Sequence, residues 1–397
     1  MNLKALILLT AGHLVTDINT GALPAFLPFI KESLSLSYTT TASIILIFNI
    51  TSSVIQPVFG YFSDRWSARW LLPTGCFVAS LGLSLLGLGS SYAWIFLFAA
   101  LGGLGQGSYH PEGFKTVSFL SDEKKATAIS LFLVGGSLGL SVGPFMATLF
   151  FKFLGLKGSL LFLPLGIAMV VIFLATSDWK VKIDLPVPRA KRSKTSGSKR
   201  QWFPMSLLLS TVVLRSAAQL SLKTFVPFYF INILQRDPLV VGKYLSVFLL
   251  AGTIGSLAGG PAADRYGYKR TVLFGLGLTS VFLYLFFHTN GTESLIFFSL
   301  AGLVLQSSNP ITMAIGQSYM PQNLGMASGL ILGLAMGVGG IATTIFGWVA
   351  DHWGVPFTLQ IIFILPLLGS LIFLFIPYPP KPEAAPSDST FPSTNRS

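Results

Sequence analysis

Twelve long apolar stretches, each bounded by charged or turn residues, constrain this chain more than any other feature. They cover residues 4–30, 41–62, 70–89, 92–119, 126–151, 158–176, 203–234, 239–262, 270–288, 292–319, 324–350 and 354–376. A helix needs about 20 apolar residues to cross about 30 Å of hydrocarbon. The stretches are continuous and lack the ten-residue alternation of barrel strands. They therefore predict twelve membrane-spanning helices.

The composition excludes a soluble protein. Hydrophobic residues make up 52% of the chain and charged residues only 10%, whereas a soluble domain carries about 25% charged residues. The single cysteine, Cys76, has no partner for a disulfide within the chain. We therefore expect an all-α polytopic membrane protein.

The distribution of positive charge predicts the orientation. With the N-terminus inside the cell, eighteen of the 26 lysines and arginines lie on the inner side and three lie within spans. Five lie outside: Lys31, Lys152, Lys157, Arg236 and Lys243. The positive-inside rule then places both termini in the cytoplasm. The net charge of +12 is accounted for by topology, and no nucleic-acid partner is expected.

An internal duplication divides the chain into two halves. The segment Gly60-Tyr-Phe-Ser-Asp64-Arg65 recurs 200 positions later as Gly260-Pro-Ala-Ala-Asp264-Arg265, and Gln106 recurs as Gln306. Six spans in each repeat make the repeats parallel, which is a transporter architecture. We predict six-helix bundles over residues 1–176 and 203–376, a cytoplasmic linker over 177–202, and a disordered cytoplasmic tail over 377–397.

The duplicated loops resemble the cytoplasmic loop signature of the major facilitator superfamily. A carboxylate at a helix end can pair with arginine or meet a helix N-terminus, so these loops are expected to gate the inner face. The first copy departs from the signature, with Ser67 where a glycine is expected. The predicted gating residues are Gly60, Asp64, Arg65, Arg69, Gly260, Asp264, Arg265, Lys269 and Arg270.

Ionisable and amide side chains interrupt spans 1, 4, 7 and 10, the first helix of each three-helix group. Such residues are costly in lipid and indicate a functional site. Equivalent helices of the sub-repeats surround one centre, so these polar faces are expected to converge on a midplane cavity. The residues are His13 and Asp17; Gln106, His110, Glu112 and Lys115; Arg215, Gln219 and Lys223; and Gln306 with Asn309.

Plainer interpretations of these residues remain open. Glu112 and Lys115, three residues apart, can form a structural ion pair, and His13 can simply orient Asp17. Lys223 can snorkel toward the membrane surface. Arg215 has no adjacent acid in its span, so it needs a distant carboxylate or an anionic ligand.

Several motifs resemble the fosmidomycin resistance protein family of drug exporters over nearly the whole chain. They are His13-Leu-Val-Thr-Asp17, Gln56-Pro-Val-Phe-Gly60, His110-Pro-Glu112, Gly325-Met-Ala-Ser-Gly329 and Gly337-Val-Gly-Gly340. The resemblance implies export of a phosphonate antibiotic or similar compound in exchange for protons. The chain departs from the family exporter at Lys115, where that protein has Arg, and at Arg215, where it has Lys. Lys223 has no counterpart.

We therefore predict a proton-coupled antiporter in a bacterial cytoplasmic membrane, a monomer surrounded by lipid, with no metal and no cofactor except protons. Proton coupling is assigned to Asp17, Glu112, His13 and His110. Binding of an anionic small molecule is assigned to Lys115, Arg215, Gln219, Lys223, Gln106, Gln306 and Asn309, because the buried cations outnumber the acids.

Two alternatives to export remain. Proton-coupled uptake of an organic anion uses the same residues in the other direction. A polytopic membrane enzyme is the remote alternative, since the sequence places neither a nucleophile nor a metal-ligand set beside His110 and Glu112.

Overall fold

The computed structural model describes residues 2–56, 58–59, 68–120, 125–176, 202–320, 330–331 and 335–377. All regular structure within these ranges is helical, and they contain no strand. The all-α prediction is confirmed. The predicted linker except Trp202, the predicted tail except Pro377, the motif residues Gly60, Asp64 and Arg65, and the motif at 325–329 lie outside the described residues.

The first half contains six helices. They are α1 (Leu3–Ser33), α2 (Tyr38–Asn49), α3 (Leu71–Leu85), α4 (Tyr92–Leu120), α5 (Lys125–Leu154) and α6 (Leu163–Ala175). A π-helical turn, Ile50–Val54, continues α2, and 3-10 turns follow α3 and α5. Pro24, Pro28, Pro111 and Pro144 lie inside α1, α4 and α5, where neighbouring helices and local adjustment compensate for their missing N–H donors.

The second half repeats this order. Its helices are α7 (Trp202–Phe228, continued by the π-helical turn Tyr229–Ile233), α8 (Pro238–Tyr266), α9 (Tyr268–His288) and α10 (Gly291–Tyr319). The last helical segment, Ala335–Leu374, is broken at Gly354, whose φ of 81° and ψ of 162° are not helical. We number its two parts α11 (335–353) and α12 (355–374).

The helices match the predicted spans in order, with shifted ends. Eight helical segments of the described chain are long and apolar enough to cross a membrane, and two of these, Ala128–Ala175 and Ala335–Leu374, each contain two helices. The segment Tyr38–Val54 is a shorter apolar helix. In the described chain, the turns after α1, α3, α5, α7, α9 and α11 share one face, which the charge pattern predicts to be external. We call it the predicted outer face.

Close backbone approach fixes the packing of α5 on α1. A Cβ at Gly139 or Gly143 would collide with the carbonyl oxygen of Leu14 or Ile18. Two helix pairs also join the halves. A Cβ at Gly242 of α8 would lie 3.0 Å from the carbonyl oxygen of Pro144 in α5, and one at Gly347 of α11 would lie 2.8 Å from that of Tyr38 in α2. Small residues at these crossings let the backbones meet.

The two halves are also joined by polar contacts at the predicted outer face. Asp351 of α11 accepts hydrogen bonds from the backbone N–H groups of Tyr38 (2.6 Å) and Thr39 (2.9 Å) and from the hydroxyl of Thr39 (2.5 Å). On the other side, Lys152 of α5 donates to Asp237 at 3.0 Å. We call these the two outer contacts. The carboxylate of Asp351 thus binds the N-terminus of a helix in the opposite half, where the helix dipole favours negative charge.

The outer contact between Lys152 and Asp237 is charged on both sides at neutral pH. The backbone N–H of Leu239 and then the ammonium of Lys152 lower the pKa of Asp237 below its usual value. A carboxyl group with a lowered folded-state pKa stays charged at neutral pH and loses its contribution only as the pH falls through that lowered value. Ordinary acidification of the external medium therefore leaves this contact intact.

Candidate functional site

Asp17 is the centre of a buried polar cluster in the first half. It is only 5% exposed and lies between two histidines. His13 Nε2 is 3.3 Å from Asp17 Oδ2, and His110 Nε2 is 3.3 Å from Oδ1. The amide of Gln106 also donates to Oδ1 at 3.1 Å. The four-residue spacings in α1 and α4 thus bring both predicted pairs into one cluster.

The hydrogen bonds of His13 require a shared proton. Its Nδ1 lies 2.7 Å from the carbonyl oxygen of Phe132 in α5, which can only accept, so Nδ1 carries a hydrogen. In neutral His13 the Nε2 atom is then a bare lone pair facing a carboxylate oxygen. Two acceptors repel, so a second proton must lie on Nε2 or on Asp17. The pair therefore holds one exchangeable proton in a buried site.

His110 makes a weaker approach to the same carboxylate. Its Nε2 has no well-directed hydrogen bond among the described residues, although its Nδ1 lies 3.5 Å from the amide nitrogen of Gln56. Its ring meets the His13 ring edge to face, with centroids 4.9 Å apart. His110 thus acts on Asp17 chiefly through charge and is the less constrained of the two imidazoles.

Gly136 of α5 makes room for the His13–Asp17 pair. A Cβ there would collide with His13 Nε2 and lie 2.6 Å from Asp17 Oδ2. The sequence explains this glycine only as part of a helix-packing stripe with Gly135, Gly139 and Gly143. The structure shows that position 136 is also a wall of the polar cluster.

We expect Gly136→Ala to impair transport by displacing His13 or Asp17 from its partner. Overpacking of this kind costs about 1–3 kcal/mol. Gly337→Ala is the matched control, because a Cβ there has only one neighbour within 4 Å, Val54 Cγ2 at 3.8 Å. Transport by both variants, measured at matched abundance, checks the prediction. Equal activity of Gly136→Ala and the parent would contradict it.

Glu112 does not join the Asp17 cluster through any contact that the structure shows. It is 1% exposed, lies 3.8 Å from the ammonium of Lys115 in the next turn, and accepts from Thr116 at 3.4 Å. This geometry agrees with the structural ion-pair interpretation. Asp17, with two imidazole nitrogens at 3.3 Å, is our candidate for proton coupling, and the assignment stays a prediction.

The second half holds a buried cation at a related position. Arg215 of α7 is 4% exposed, and its guanidinium donates to Gln306 Oε1 at 3.4 Å. Its Nε has no hydrogen-bond partner among the described residues. An incompletely satisfied buried guanidinium is costly. This position therefore favours an anionic ligand.

The two repeat-related glutamines bind side chains of opposite charge. Gln106 uses its amide N–H to bind the carboxylate of Asp17, and Gln306, 200 residues later, uses its amide oxygen to bind the guanidinium of Arg215. An amide can do either because it carries both a donor and an acceptor. The repeated glutamine position thus binds an anion in the first half and a cation in the second.

Lys223 lies between the halves. It lines a small cavity of about 20 Å³ together with Thr20 of α1 and Asn49 of α2. The hydroxyl of Thr20, three residues after Asp17 in the same helix, is buried without a hydrogen-bond partner in the described chain. Lys223 therefore lies about one helical turn from the Asp17 cluster, and its role in substrate binding stays a prediction.

The remaining predicted binding and gating residues make few contacts that bear on their predicted roles. Gln219 and Asn309 are half-buried, and no side-chain hydrogen bond from either to the two clusters is seen in the described residues. Arg69 is half-buried, and Asp264 and Arg265 are exposed at the end of α8. Gly267, with φ of 91°, forms the tight turn between α8 and α9, just before Lys269 and Arg270. The gating role remains a prediction.

One group of side chains could admit a metal ion. The ligand atoms of His13, Asp17 and His110 lie within 4.8 Å of one another, the one such group found in the described residues. The sequence did not reveal this set, because it places His110 beside Glu112 rather than beside Asp17. A shared proton satisfies the same geometry.

Comparison with known proteins identifies the family. A model described as the Major Facilitator Superfamily matches the chain twice, over residues 9–235 and 208–395. This chain belongs to the major facilitator superfamily. The two overlapping matches agree with the repeat, although the predicted bundle boundaries themselves remain a prediction.

Superfamily members with similar sequences include a drug-resistance protein. The fosmidomycin resistance protein of Escherichia coli (strain K12) is 31% identical over 382 residues, covering 93% of this chain and 91% of that protein. An uncharacterized superfamily transporter of Bacillus subtilis (strain 168) is 31% identical over 376 residues, covering 93% of this chain and 92% of its own length. The predicted resemblance is confirmed.

Solved superfamily structures share the fold. A bacterial homolog of the human lysosomal transporter Spinster, inward-facing and unoccupied, has a TM-score of 0.75 at 14% identity, covering 94% of this chain and 96% of the other. The nucleoside transporter NupG has a TM-score of 0.73 at 14% identity, covering 94% and 99%. These similarities show the fold, and the family match and the sequence relatives support a transporter.

Proposed function

We propose that this transporter exports a small anionic compound, such as fosmidomycin, in exchange for protons by alternating access. The observation that carries the proposal is the buried His13–Asp17 pair, whose geometry requires one shared proton. Loss of that proton leaves two acceptors facing each other at 3.3 Å. The cluster can therefore release its proton only with a local rearrangement, which is how protonation can be linked to a change of state.

The anionic substrate is inferred from the charges of the interior. Arg215 is buried with an incomplete hydrogen-bond set, and Lys223 lies at the junction of the halves. A phosphonate would supply several acceptor oxygens to these cations. The fosmidomycin resistance protein, at 31% identity, supports that chemical class.

Alternating access is supported by the two outer contacts. They join α2 to α11 and α5 to α8 at the predicted outer face. They must break for the site to open outward. The halves can then rock about their common interface, as parallel-repeat transporters do.

A second candidate, proton-coupled uptake of an organic anion, is favoured by the position of Lys223. Lys223 lines a cavity with Thr20, which lies about one turn from Asp17 in α1, so protonation of Asp17 removes a nearby negative charge and favours an anion at Lys223. Proton and anion would then bind together, which is the requirement of symport. Antiport instead requires that the two ligands exclude each other.

The deciding experiment measures flux and binding with fosmidomycin as the probe. In proteoliposomes with an imposed pH gradient, antiport moves fosmidomycin against the direction of proton flow, and symport moves it with the protons. The pH dependence of fosmidomycin binding distinguishes the two mechanisms independently. Acidification weakens binding to an antiporter and strengthens binding to a symporter. Absence of both flux and binding in correctly inserted protein would overturn the substrate assignment.

We expect Arg215→Gln to weaken fosmidomycin binding roughly ten- to hundred-fold, because a hydrogen bond to a charged group contributes about 1.5–3 kcal/mol. Arg215→Lys keeps the charge and should restore much of the affinity. Ser210→Ala, at an exposed position of α7, is the control. Titration calorimetry on the purified variants checks this, and equal loss in Ser210→Ala would show a general disturbance of the helix.

A further inference from the structure

A second cavity lies at the predicted outer face, away from the central clusters. Its volume is about 310 Å³, and it opens between the outer ends of α7, α8, α9 and α10. Tyr229, Tyr244, Phe286 and Phe287 form much of its wall. A volume of this size accommodates a small ligand or a lipid headgroup.

Two cations lie at this cavity. Arg236 and Lys243 are both exposed lining residues, and neither forms an ion pair with an acid in the described chain. Asp237, next to Arg236, is bound to Lys152 instead. The side chains that line the cavity therefore carry a net positive charge, and Glu293, in the first turn of α10, is not among them.

A helix N-terminus adds to this charge. The 29-residue helix α10 begins at Gly291, and Gly291, Thr292 and Ser294 of its first turn line the cavity. Its N-cap residue, Asn290, makes no side-chain capping hydrogen bond. Unsatisfied backbone N–H groups and the helix dipole favour an anion at this place.

The repeat provides an internal comparison. The positions 200 residues before Arg236 and Lys243 are Leu36 and Ser43, and Ser43 is hydrogen-bonded to Tyr92 at 2.7 Å. The cations are therefore particular to the second half. Predicted outside positions hold only five lysines and arginines, and the positive-inside rule makes such residues scarce there. Two of the five meet at this cavity.

We propose that the cavity binds an anionic phosphate-type group, with Arg236, Lys243 and the start of α10 holding the oxygens and the aromatic wall holding an apolar portion. Two sources supply this chemistry at the outer face: the headgroup of an anionic phospholipid and a free phosphate or phosphonate. The inference does not depend on the proposed direction of transport or on the Asp17 cluster.

The test uses the full-length purified protein. Native mass spectrometry counts retained phosphatidylglycerol against phosphatidylcholine, with inorganic phosphate added as competitor. We expect the parent to prefer phosphatidylglycerol, or to bind phosphate, and Arg236→Gln with Lys243→Gln to weaken that binding roughly ten-fold or more. Displacement of lipid by phosphate identifies a site for free phosphate groups, and retention against phosphate identifies a headgroup site.

The control is Lys157→Gln, which removes an exposed positive charge from the same face outside the cavity. It should bind as the parent does. Equal losses in this variant and the double variant would show a general surface effect and overturn the proposal, as would a parent that binds neither probe. Fosmidomycin transport by the double variant, measured in parallel, separates failure of this site from failure of the central one.

Discussion

Asp17→Asn is expected to abolish pH-driven accumulation of substrate while preserving substrate exchange. The amide has nearly the same shape as the carboxylate. Its oxygen can still accept from Gln106, whose Nε2 lies 3.1 Å from Asp17 Oδ1 in the parent protein. Its NH₂ group can donate to the bare Nε2 of neutral His13 and satisfy that acceptor. The fold therefore survives, but the pair no longer takes up and releases a proton.

The magnitude of this loss follows from the driving force. One charge moved through about 100 mV gains about 2.3 kcal/mol, which supports a roughly fifty-fold substrate gradient per proton. Proteoliposomes containing the parent should approach such a ratio, whereas those containing Asp17→Asn should stop at equal concentrations. Counterflow of labelled substrate, which needs no proton gradient, should persist in the variant.

Glu112→Gln is the matched control, because Glu112 is the other buried acid among the described residues of the first half. Its contacts with Lys115 and Thr116 predict that this variant keeps its pH-driven accumulation at matched abundance. The reverse pattern, with coupling lost in Glu112→Gln and kept in Asp17→Asn, would assign the coupling proton to Glu112. It would also contradict a coupling role for the proton shared by His13 and Asp17.

The sequence predicts the architecture well because the bilayer imposes it. Span length follows from hydrocarbon thickness, while the orientation that the loop charges indicate stays a prediction. The 200-residue offset also pairs Gln106 with Gln306. These features depend on residue spacing along the chain, which is visible without coordinates.

The composition of the central cluster was only partly predictable. The i, i+4 spacing predicts the meeting of His13 with Asp17, but the contact of Asp17 with His110 depends on how α1 and α4 rotate against each other. The hydrogen bond that fixes His13 comes from the backbone carbonyl of Phe132. Backbone acceptors carry no residue signature, so the shared proton follows only from the packed structure.

The contacts between the halves were also hidden. Asp351 reads in the sequence as a polar end of a span, whereas the structure places it on the N-terminus of α2, more than 300 residues earlier. No pattern relates the two segments, because the interface between repeats is set by helix packing rather than by local spacing.

Asp351→Ala is expected to shift the protein toward the state that is open at the predicted outer face. The carboxylate accepts three hydrogen bonds from Tyr38 and Thr39, and they must break when the outer ends separate. Hydrogen bonds to charged groups contribute about 1.5–3 kcal/mol each, and water replaces part of this at an exposed site. A net change of about 2 kcal/mol gives a roughly thirty-fold shift in population.

Distances between spin labels can measure this shift directly. Labels on cysteines introduced at Lys157 and Glu293, exposed positions at the outer ends of opposite halves, should show a longer distance in Asp351→Ala. The native Cys76 is buried and free, so it is not expected to label. Helix α2 keeps its own cap, because Ser37 Oγ still accepts from the Thr40 N–H, and the variant should therefore fold.

Two further variants serve as controls for Asp351→Ala. His352→Ala changes the next residue, which contacts Trp348 and Trp353 of its own segment, and should leave the distances unchanged. Thr39→Val removes only the hydroxyl bond and should give a smaller shift of the same sign. If Asp351→Ala has the parent's distances, the outer ends are held by packing at Gly347 and the Lys152–Asp237 contact. Opening would then depend on substrate and proton alone.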